Sequence, residues 1–176
     1  QVIDITDPAE PISSGSVDTP DNARSVAVAG SYAYVADRSS GLQVIDITDA
    51  ETPEIVGSVE TPDAAVGVAV SGTYAYVADN ESGLQVIDIT NPESPEVVGS
   101  VDTPGEALGV ATSSTHAYVA DRYSGLQVIC ILNPESPEIV GSVDTPSVMT
   151  TIHAITASAS STSQFRVTAP PAGVLV

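Results

Sequence analysis

The fold of this chain is decided by the stretch TYAYVADNESGLQVIDIT, residues 73–90. Two further versions of it lie 42 residues to either side: SYAYVADRSSGLQVIDIT at residues 31–48 and THAYVADRYSGLQVICIL at residues 115–132. Each copy of so regular a repeat is one supersecondary unit that buries apolar surface against its neighbours.

The apolar stretches within one copy are short and rich in Val, Ile and Tyr. They cover residues 55–59, 66–70, 74–78 and 84–89, with Pro, Gly, Asp, Asn and Ser between them. No stretch is long enough, or free enough of Gly and Pro, to form a helix of several turns. The pattern therefore predicts four β-strands of about five or six residues in each copy.

Several of these strands are apolar without alternation, so both faces of each small sheet should be covered, as happens when sheets stack face to face. Four antiparallel strands per repeat, stacked in this way, are typical of β-propeller blades. The small residues Gly67, Ala69, Gly109 and Ala111 suit the crowded region near a propeller axis. A parallel β-helix is the structural rival, although its coils are usually shorter and less interrupted by hairpin turns.

Two segments carry a family resemblance. Leu42–Asp46 and Leu84–Asp88, each followed by Ile-Thr and an Asp or Asn turn, resemble the LVIVD repeat. The resemblance implies propeller blades in a bacterial or archaeal surface protein, and it covers residues 1 to about 146. The third copy departs from the motif at Cys130 and Leu132, and the motif says little about activity because propellers host many unrelated functions.

The repeat also predicts how the chain is divided. We expect blades at residues 13–47, 55–89 and 97–131, the outer strand of a preceding blade at 1–5, a partial blade at 139–155 and a degenerate or disordered tail at 156–176. Most propellers need more blades to close, so the prediction is an incomplete ring belonging to a larger one. The alternative is a closed four-bladed ring, in which Gln1–Ile5 and Gln164–Val167 complete the last blade.

Composition restricts the classes of partner. The chain has 23 acidic residues and four Arg, with no Lys and a net charge of −19. This charge disfavours nucleic acid, whose phosphates need cations, and also anionic membrane surfaces. No apolar run approaches the length of a membrane span, so no membrane insertion is expected. The single Cys forms no internal disulfide.

We find no catalytic or metal-binding pattern in the sequence and predict no cofactor. Cys130 lies at a strand position held by Asp in the other two copies, without a base at a useful spacing. Asp37, Asp79 and Asp121 each precede a four-residue turn that ends in Gly. A calcium loop would need alternating oxygen ligands, and Arg38 interrupts that pattern. We expect these aspartates to accept hydrogen bonds from local backbone amides and fix the hairpin turn.

Comparison of the copies separates scaffold from variable positions. The positions that differ cluster in two loops of each copy, at residues 21–24 and 38–39 and their equivalents 42 and 84 residues later. We expect both loops on one face of the ring, where a partner would be recognised; neutral drift in exposed turns is the alternative. The predicted partner-binding residues are Arg24, Arg38, Asn80, Glu81, Glu106, Arg122 and Tyr123.

The sequence thus predicts a non-catalytic interaction or adhesion module of a secreted or cell-surface protein, with a protein or a carbohydrate as partner. Two other functions stay open. One is a rigid structural spacer without a ligand. The other is part of a propeller hydrolase or lyase, with its site where inner loops converge on the central channel.

Overall fold

The computed structural model describes residues 1–145, and within them the chain forms only strands, turns and loops. Fourteen strands follow one another: β1 (Val2–Asp4), β2 (Ile12–Gly15), β3 (Ser25–Ala29), β4 (Tyr32–Ala36), β5 (Leu42–Asp46), β6 (Glu54–Val59), β7 (Gly67–Ser71), β8 (Tyr74–Ala78), β9 (Leu84–Asp88), β10 (Glu96–Val101), β11 (Gly109–Thr112), β12 (His116–Ala120), β13 (Leu126–Cys130) and β14 (Glu138–Val143). They build three four-stranded antiparallel sheets and one two-stranded sheet. The prediction of an all-β chain with four-stranded units is confirmed.

Strand pairing places each blade one strand later than the sequence predicted. The sheets are β3–β6, β7–β10 and β11–β14, which we name the first, second and third blades. The predicted ranges 13–47, 55–89 and 97–131 therefore begin one strand too early: each includes the outer strand of the preceding blade and omits its own. We call this choice of first strand the phase of the blades. These three blades and a strand pair form part of a propeller, and the described strands do not close a ring.

The reason for the shift is the partner of β6. Leu42 lies opposite Val59, and Val44 lies opposite Gly57, so β6 pairs with β5 and not with β7. A repeat of 42 residues has the same period whichever strand is counted first, so periodicity gave the number of strands but not the phase. The hydrogen bonds between strands decide which strand is the first of each blade.

The same correction applies to the N-terminal segment. β1 pairs with β2, with Ile3 opposite Ser13 and Asp4 opposite Ile12. Residues 1–5 were predicted to be an outer strand, but β2 takes that position and β1 corresponds to β5. Of the predicted partial blade 139–155, residues up to Val143 belong to the outer strand of the third blade. Residues 146–155, the tail at 156–176 and the Gln164–Val167 strand of the four-bladed alternative lie outside the described residues.

The first strand of each blade lies towards the inside of the stack, where β3 neighbours β7 and β7 neighbours β11. Backbones approach closely there. A Cβ atom added at Gly67 would lie only 2.9 Å from the Cα atom of Gly109. This confirms that a small residue is needed at Gly67, where β7 approaches β11.

The core lies between adjacent blades, not within one sheet. One buried cluster joins the first and second blades: Tyr34, Ala36, Leu42, Val44, Ala65, Val68, Ala75, Val77, Ile87 and Ile89. Another joins the second and third blades: Tyr76, Ala78, Leu84, Val86, Ala107, Ala117, Val119, Ile129 and Ile131. The second blade therefore contributes buried apolar residues to both clusters, as its uninterrupted apolar strands predicted. Burial of the rings raises the pKa of Tyr34 and of Tyr76.

Candidate interaction face

Two connections of each repeat emerge on the same side of the stack, because consecutive strands reverse direction. They are the loop that leads into the first strand of a blade and the loop between its second and third strands. We name their combined surface the variable face; it comprises residues 18–24, 37–41, 60–66, 79–83, 102–108 and 121–125. Although the predicted blade phase was wrong, the structure brings these two loops together.

A buried aspartate joins the two loops in every copy. The carboxylate of Asp37 accepts hydrogen bonds from the Thr19 hydroxyl at 2.7 Å and from the backbone amide of Asp21 at 2.9 Å. The second and third copies repeat the arrangement: Thr61 and Asp63 donate to Asp79, and Thr103 and Gly105 donate to Asp121. All three aspartates are fully buried.

The observed partners correct the sequence prediction for these aspartates. Their carboxylates were expected to accept hydrogen bonds within their own turn, but they accept them from the connection 16 and 18 residues earlier in the chain. Sequence reasoning missed the partners Thr19, Thr61 and Thr103. A signal was present, since each Thr precedes a Pro and lies 18 residues before the aspartate in all three copies.

Burial has an electrostatic consequence at Asp79. Desolvation raises the pKa of this carboxyl group above its ordinary value, while the hydrogen bonds from Thr61 and Asp63 act in the opposite direction. A carboxylate held in this way is a structural acceptor with its lone pairs engaged by protein donors. Within residues 1–145 no three His, Cys, Asp or Glu side chains gather so that they could hold a metal ion.

The turn residue after each buried aspartate has an unusual backbone. Arg38, Asn80 and Arg122 have φ angles of 49°, 46° and 33°, in the left-handed region that favours Gly and Asn. In the first two copies this residue also joins neighbouring blades. Arg38 and Ala65 exchange two backbone hydrogen bonds of 3.0 Å, and Asn80 and Ala107 form the equivalent bridge.

The third copy carries a cluster of three predicted residues on this face. Arg122 forms an ion pair with Glu106, and its guanidinium lies 4.7 Å from the centre of the Tyr123 ring. The hydrogen bond to Glu106 raises the pKa of Arg122. Tyr123 is 71% exposed, so an aromatic ring held beside a cation projects from the face.

The other predicted residues have different surroundings. The Asn80 side-chain amide donates to the Asp63 carboxylate at 3.0 Å, and the backbone amide of Glu81 donates to the same oxygen at 3.0 Å. Asn80 is therefore part of the scaffold, whereas the Glu81 side chain is exposed. Arg24 is exposed beside the first strand of the first blade. The structure brings Glu106, Arg122 and Tyr123 into contact, and Arg24 makes no described contact with them.

The opposite face carries the connections between the third and fourth strands, together with the short turns between the first and second strands. Exposed carboxylates recur there at the same position in each copy, at Glu51, Glu93 and Glu135. In the part of the chain that the structure describes, no helix is long and apolar enough to cross a membrane.

Comparisons with known proteins agree with the observed repeat. The sequence profile described as "LVIVD repeat" matches residues 1–19, 20–61, 63–103 and 104–145. No curated protein matches the chain. Among solved structures, the computationally designed Ika8 protein is similar, with a TM-score of 0.60 and 12% sequence identity over 75% of this chain. The matched part spans 39% of the designed chain, and at this identity the likeness concerns the fold alone.

Proposed function

The chain belongs to the LVIVD-repeat family, and we propose that it is a non-catalytic interaction or adhesion module that recognises a partner with its variable face. The cluster of Glu106, Arg122 and Tyr123 carries the proposal. An exposed aromatic ring beside an Arg is the kind of side-chain pair that anchors protein interfaces, since Tyr buries much area with only two side-chain torsions and Arg offers a planar set of hydrogen-bond donors.

The scaffold beneath the cluster supports this function. Asp121 and its partners Thr103 and Gly105 fix the loop that carries Glu106, and they also fix the start of the turn that carries Arg122. Side chains presented from an immobilised loop lose less conformational entropy when a partner binds. A repeated scaffold with variable loop residues is a suitable design for recognition.

The partner class follows from charge and residue type. We infer a protein or a carbohydrate, because a net charge of −19 disfavours nucleic acid and anionic lipid. We place the module in an extracellular or cell-surface protein, on the strength of its acidity and the resemblance of its repeats to those of surface proteins. No cofactor or metal enters the proposed function.

The test compares two multiple variants of the full chain. The first replaces the variable-face residues by Arg24→Ser, Arg38→Asn, Arg122→Asn and Tyr123→Ser; Asn is chosen at the two positions with positive φ because Asn80 already occupies the equivalent one. The control replaces Glu51, Glu93 and Glu135 by Gln on the opposite face. Binding is measured on a carbohydrate array and on a panel of extracellular proteins.

We expect the native chain and the control to bind the same targets, and the variable-face variant to lose them while its thermal unfolding temperature is no lower than that of the native chain. Equal binding by both variants would contradict the proposal. Absence of any target would favour a rigid spacer, and turnover of an ester, phosphate or polysaccharide would favour an enzyme.

A further inference from the structure

The turn at residues 79–83 joins the second and third strands of the second blade, in the middle of the described part of the variable face. Asn80 bridges to Ala107 in the connection that leads into the third blade, and the first blade bridges in the same way to Ala65. Both neighbours of the turn are therefore in place. Even so, Glu81 is exposed and Asn80 is partly exposed.

This turn carries a sequence pattern that the other copies lack. Asn80-Glu81-Ser82 is an Asn-X-Ser triplet without Pro, which is the acceptor pattern for N-linked glycosylation in a surface loop. It occurs once in the 176 residues, since Asn91 and Asn133 precede Pro. The equivalent turns also have Ser at the third position, but they carry Arg38 and Arg122 where the second copy has Asn.

The side-chain amide of Asn80 is held in a position that leaves one of its hydrogens free. It donates one hydrogen bond to the Asp63 carboxylate at 3.0 Å. A primary amide has two N–H donors, and the second has no acceptor within residues 1–145. The backbone of Asn80 is occupied by the bridge to Ala107, which a modification of the side chain does not touch.

We propose that Asn80 is an attachment site for an N-linked glycan. In the transfer, the Asn80 nitrogen forms a bond to the anomeric carbon of a saccharide carried on a lipid phosphate. The bond from that carbon to the phosphate oxygen breaks, and the lipid phosphate leaves as an anion. The nitrogen loses one proton to a base of the transferase and keeps the other. The linked amide therefore still has the N–H that donates to Asp63, and the glycan projects from the variable face.

In the native cell this modification rests on the extracellular location proposed above, because N-linked glycans are added to exported chains. The experiment supplies that location through an export signal. An unmodified chain would therefore count against Asn80, and not against the location or against recognition by the variable face.

The experiment expresses the full chain in eukaryotic host cells, once with an export signal and once without. A glycosidase then releases N-linked glycans in heavy-oxygen water and converts each linked Asn to a labelled Asp. Cleavage after Glu60 and Glu81 yields residues 61–81 for mass spectrometry. We expect the label at Asn80 in the exported chain alone. Asn22 is exposed on the same face but lies outside any such triplet, and it should stay unlabelled in both chains.

Three variants of the exported chain sharpen the test. Ser82→Ala should lose the label, since the acceptor pattern requires the hydroxyl group, and Ser82→Thr should retain it. Arg38→Asn is the matched control, because it places Asn before Ser39 and Ser40 in the equivalent turn, and it should gain a second label. An unlabelled Asn80 would overturn the proposal, and so would a label that persists in Ser82→Ala.

Thermal unfolding tests the geometry on which the proposal rests. The glycosylated chain should unfold at a temperature no lower than that of Ser82→Ala, because the remaining N–H still donates to Asp63. A lower temperature would show that the glycan displaces this hydrogen bond, and it would contradict the proposed arrangement. The binding and stability experiments on Arg38→Asn and Arg122→Asn use unglycosylated chains, since both changes create the same triplet.

Discussion

The hydroxyl of Thr61 donates a hydrogen bond of 2.6 Å to the buried carboxylate of Asp79, which lies eighteen residues later in the chain. The Asp63 amide donates to the other oxygen of the same carboxylate at 3.0 Å. One side chain thus ties the connection that leads into the second blade to a turn within that blade. The equivalent pairs in the other copies make this a fixed element of the repeat.

Removal of the carboxylate should destabilise the protein. Asp79→Ala leaves the partly buried Asp63 amide without its acceptor, and leaves the Thr61 hydroxyl only the Asp63 carbonyl oxygen at 3.4 Å. We expect a loss of about 1–3 kcal/mol in the free energy of unfolding. Asp88→Ala is the control, because Asp88 is partly exposed and accepts its bonds from Thr90 two residues away. Urea denaturation measures the free energy of unfolding of both variants. Equal losses would show that the hydrogen bonds to the buried Asp79 contribute no more to stability than those to the partly exposed Asp88.

The contribution of the buried Asp79 to stability should depend on pH with the opposite sign to the contributions of the partly exposed Asp46 and Asp88. Desolvation raises the pKa of Asp79, so its contribution to stability is present below its unfolded pKa of about 3.8 and is lost as the pH rises through the folded value. Hydrogen bonds from Thr48 and Thr90 lower the pKa of Asp46 and Asp88. Their contribution is present above about pH 3.8 and is lost as the pH falls.

Two variants separate these effects. The destabilisation caused by Asp79→Asn should grow as the pH is lowered from 7 towards 4, and that caused by Asp88→Asn should shrink below about pH 4. Unfolding curves across this range, with an NMR titration of the carboxyl groups, provide the measurement. The same pH trend for both variants would contradict a raised pKa at Asp79 and a lowered pKa at Asp88.

Glycines of the outer strands should not tolerate a side chain where a neighbouring blade approaches. A Cβ atom at Gly57 would overlap the carbonyl oxygen of Pro92, and one at Gly99 would overlap that of Pro134. We expect Gly57→Ala and Gly99→Ala to lower stability by about 1–3 kcal/mol, since backbone atoms must shift. At Gly141 the nearest described atom is 3.9 Å away, in Val128. Gly141→Ala is therefore the control in thermal unfolding, and it should have little effect.

Relief of backbone strain should stabilise the first turn. Arg38 has a φ angle of 49°, and its equivalent in the second copy is Asn80. Because Asn adopts this region more easily, Arg38→Asn should raise the free energy of unfolding by about 0.5–1 kcal/mol. The same change at the exposed neighbour Ser39, whose φ is not positive, should give no gain. A gain at Ser39 alone would show that strain is not the cause.

The repeat by itself determined the architecture. Its spacing, its short Val- and Ile-rich segments and its small residues at Gly67 and Gly109 predicted four-stranded blades that stack face to face. The loops carrying Arg122 and Glu106 were also identifiable, because the copies differ there while their scaffold is constant. These features depend on local sequence and on the comparison of one copy with the next.

The tertiary structure decided which segments pair and which side chains meet. The blade phase depends on β6 choosing β5 as its neighbour, a hydrogen-bonding choice that a periodic pattern leaves open. The partners of Asp79 lie sixteen and eighteen residues away in the chain, and the bridge between Arg38 and Ala65 joins two blades. Such contacts arise only when sheets stack, because stacking brings together backbone groups that the sequence keeps apart.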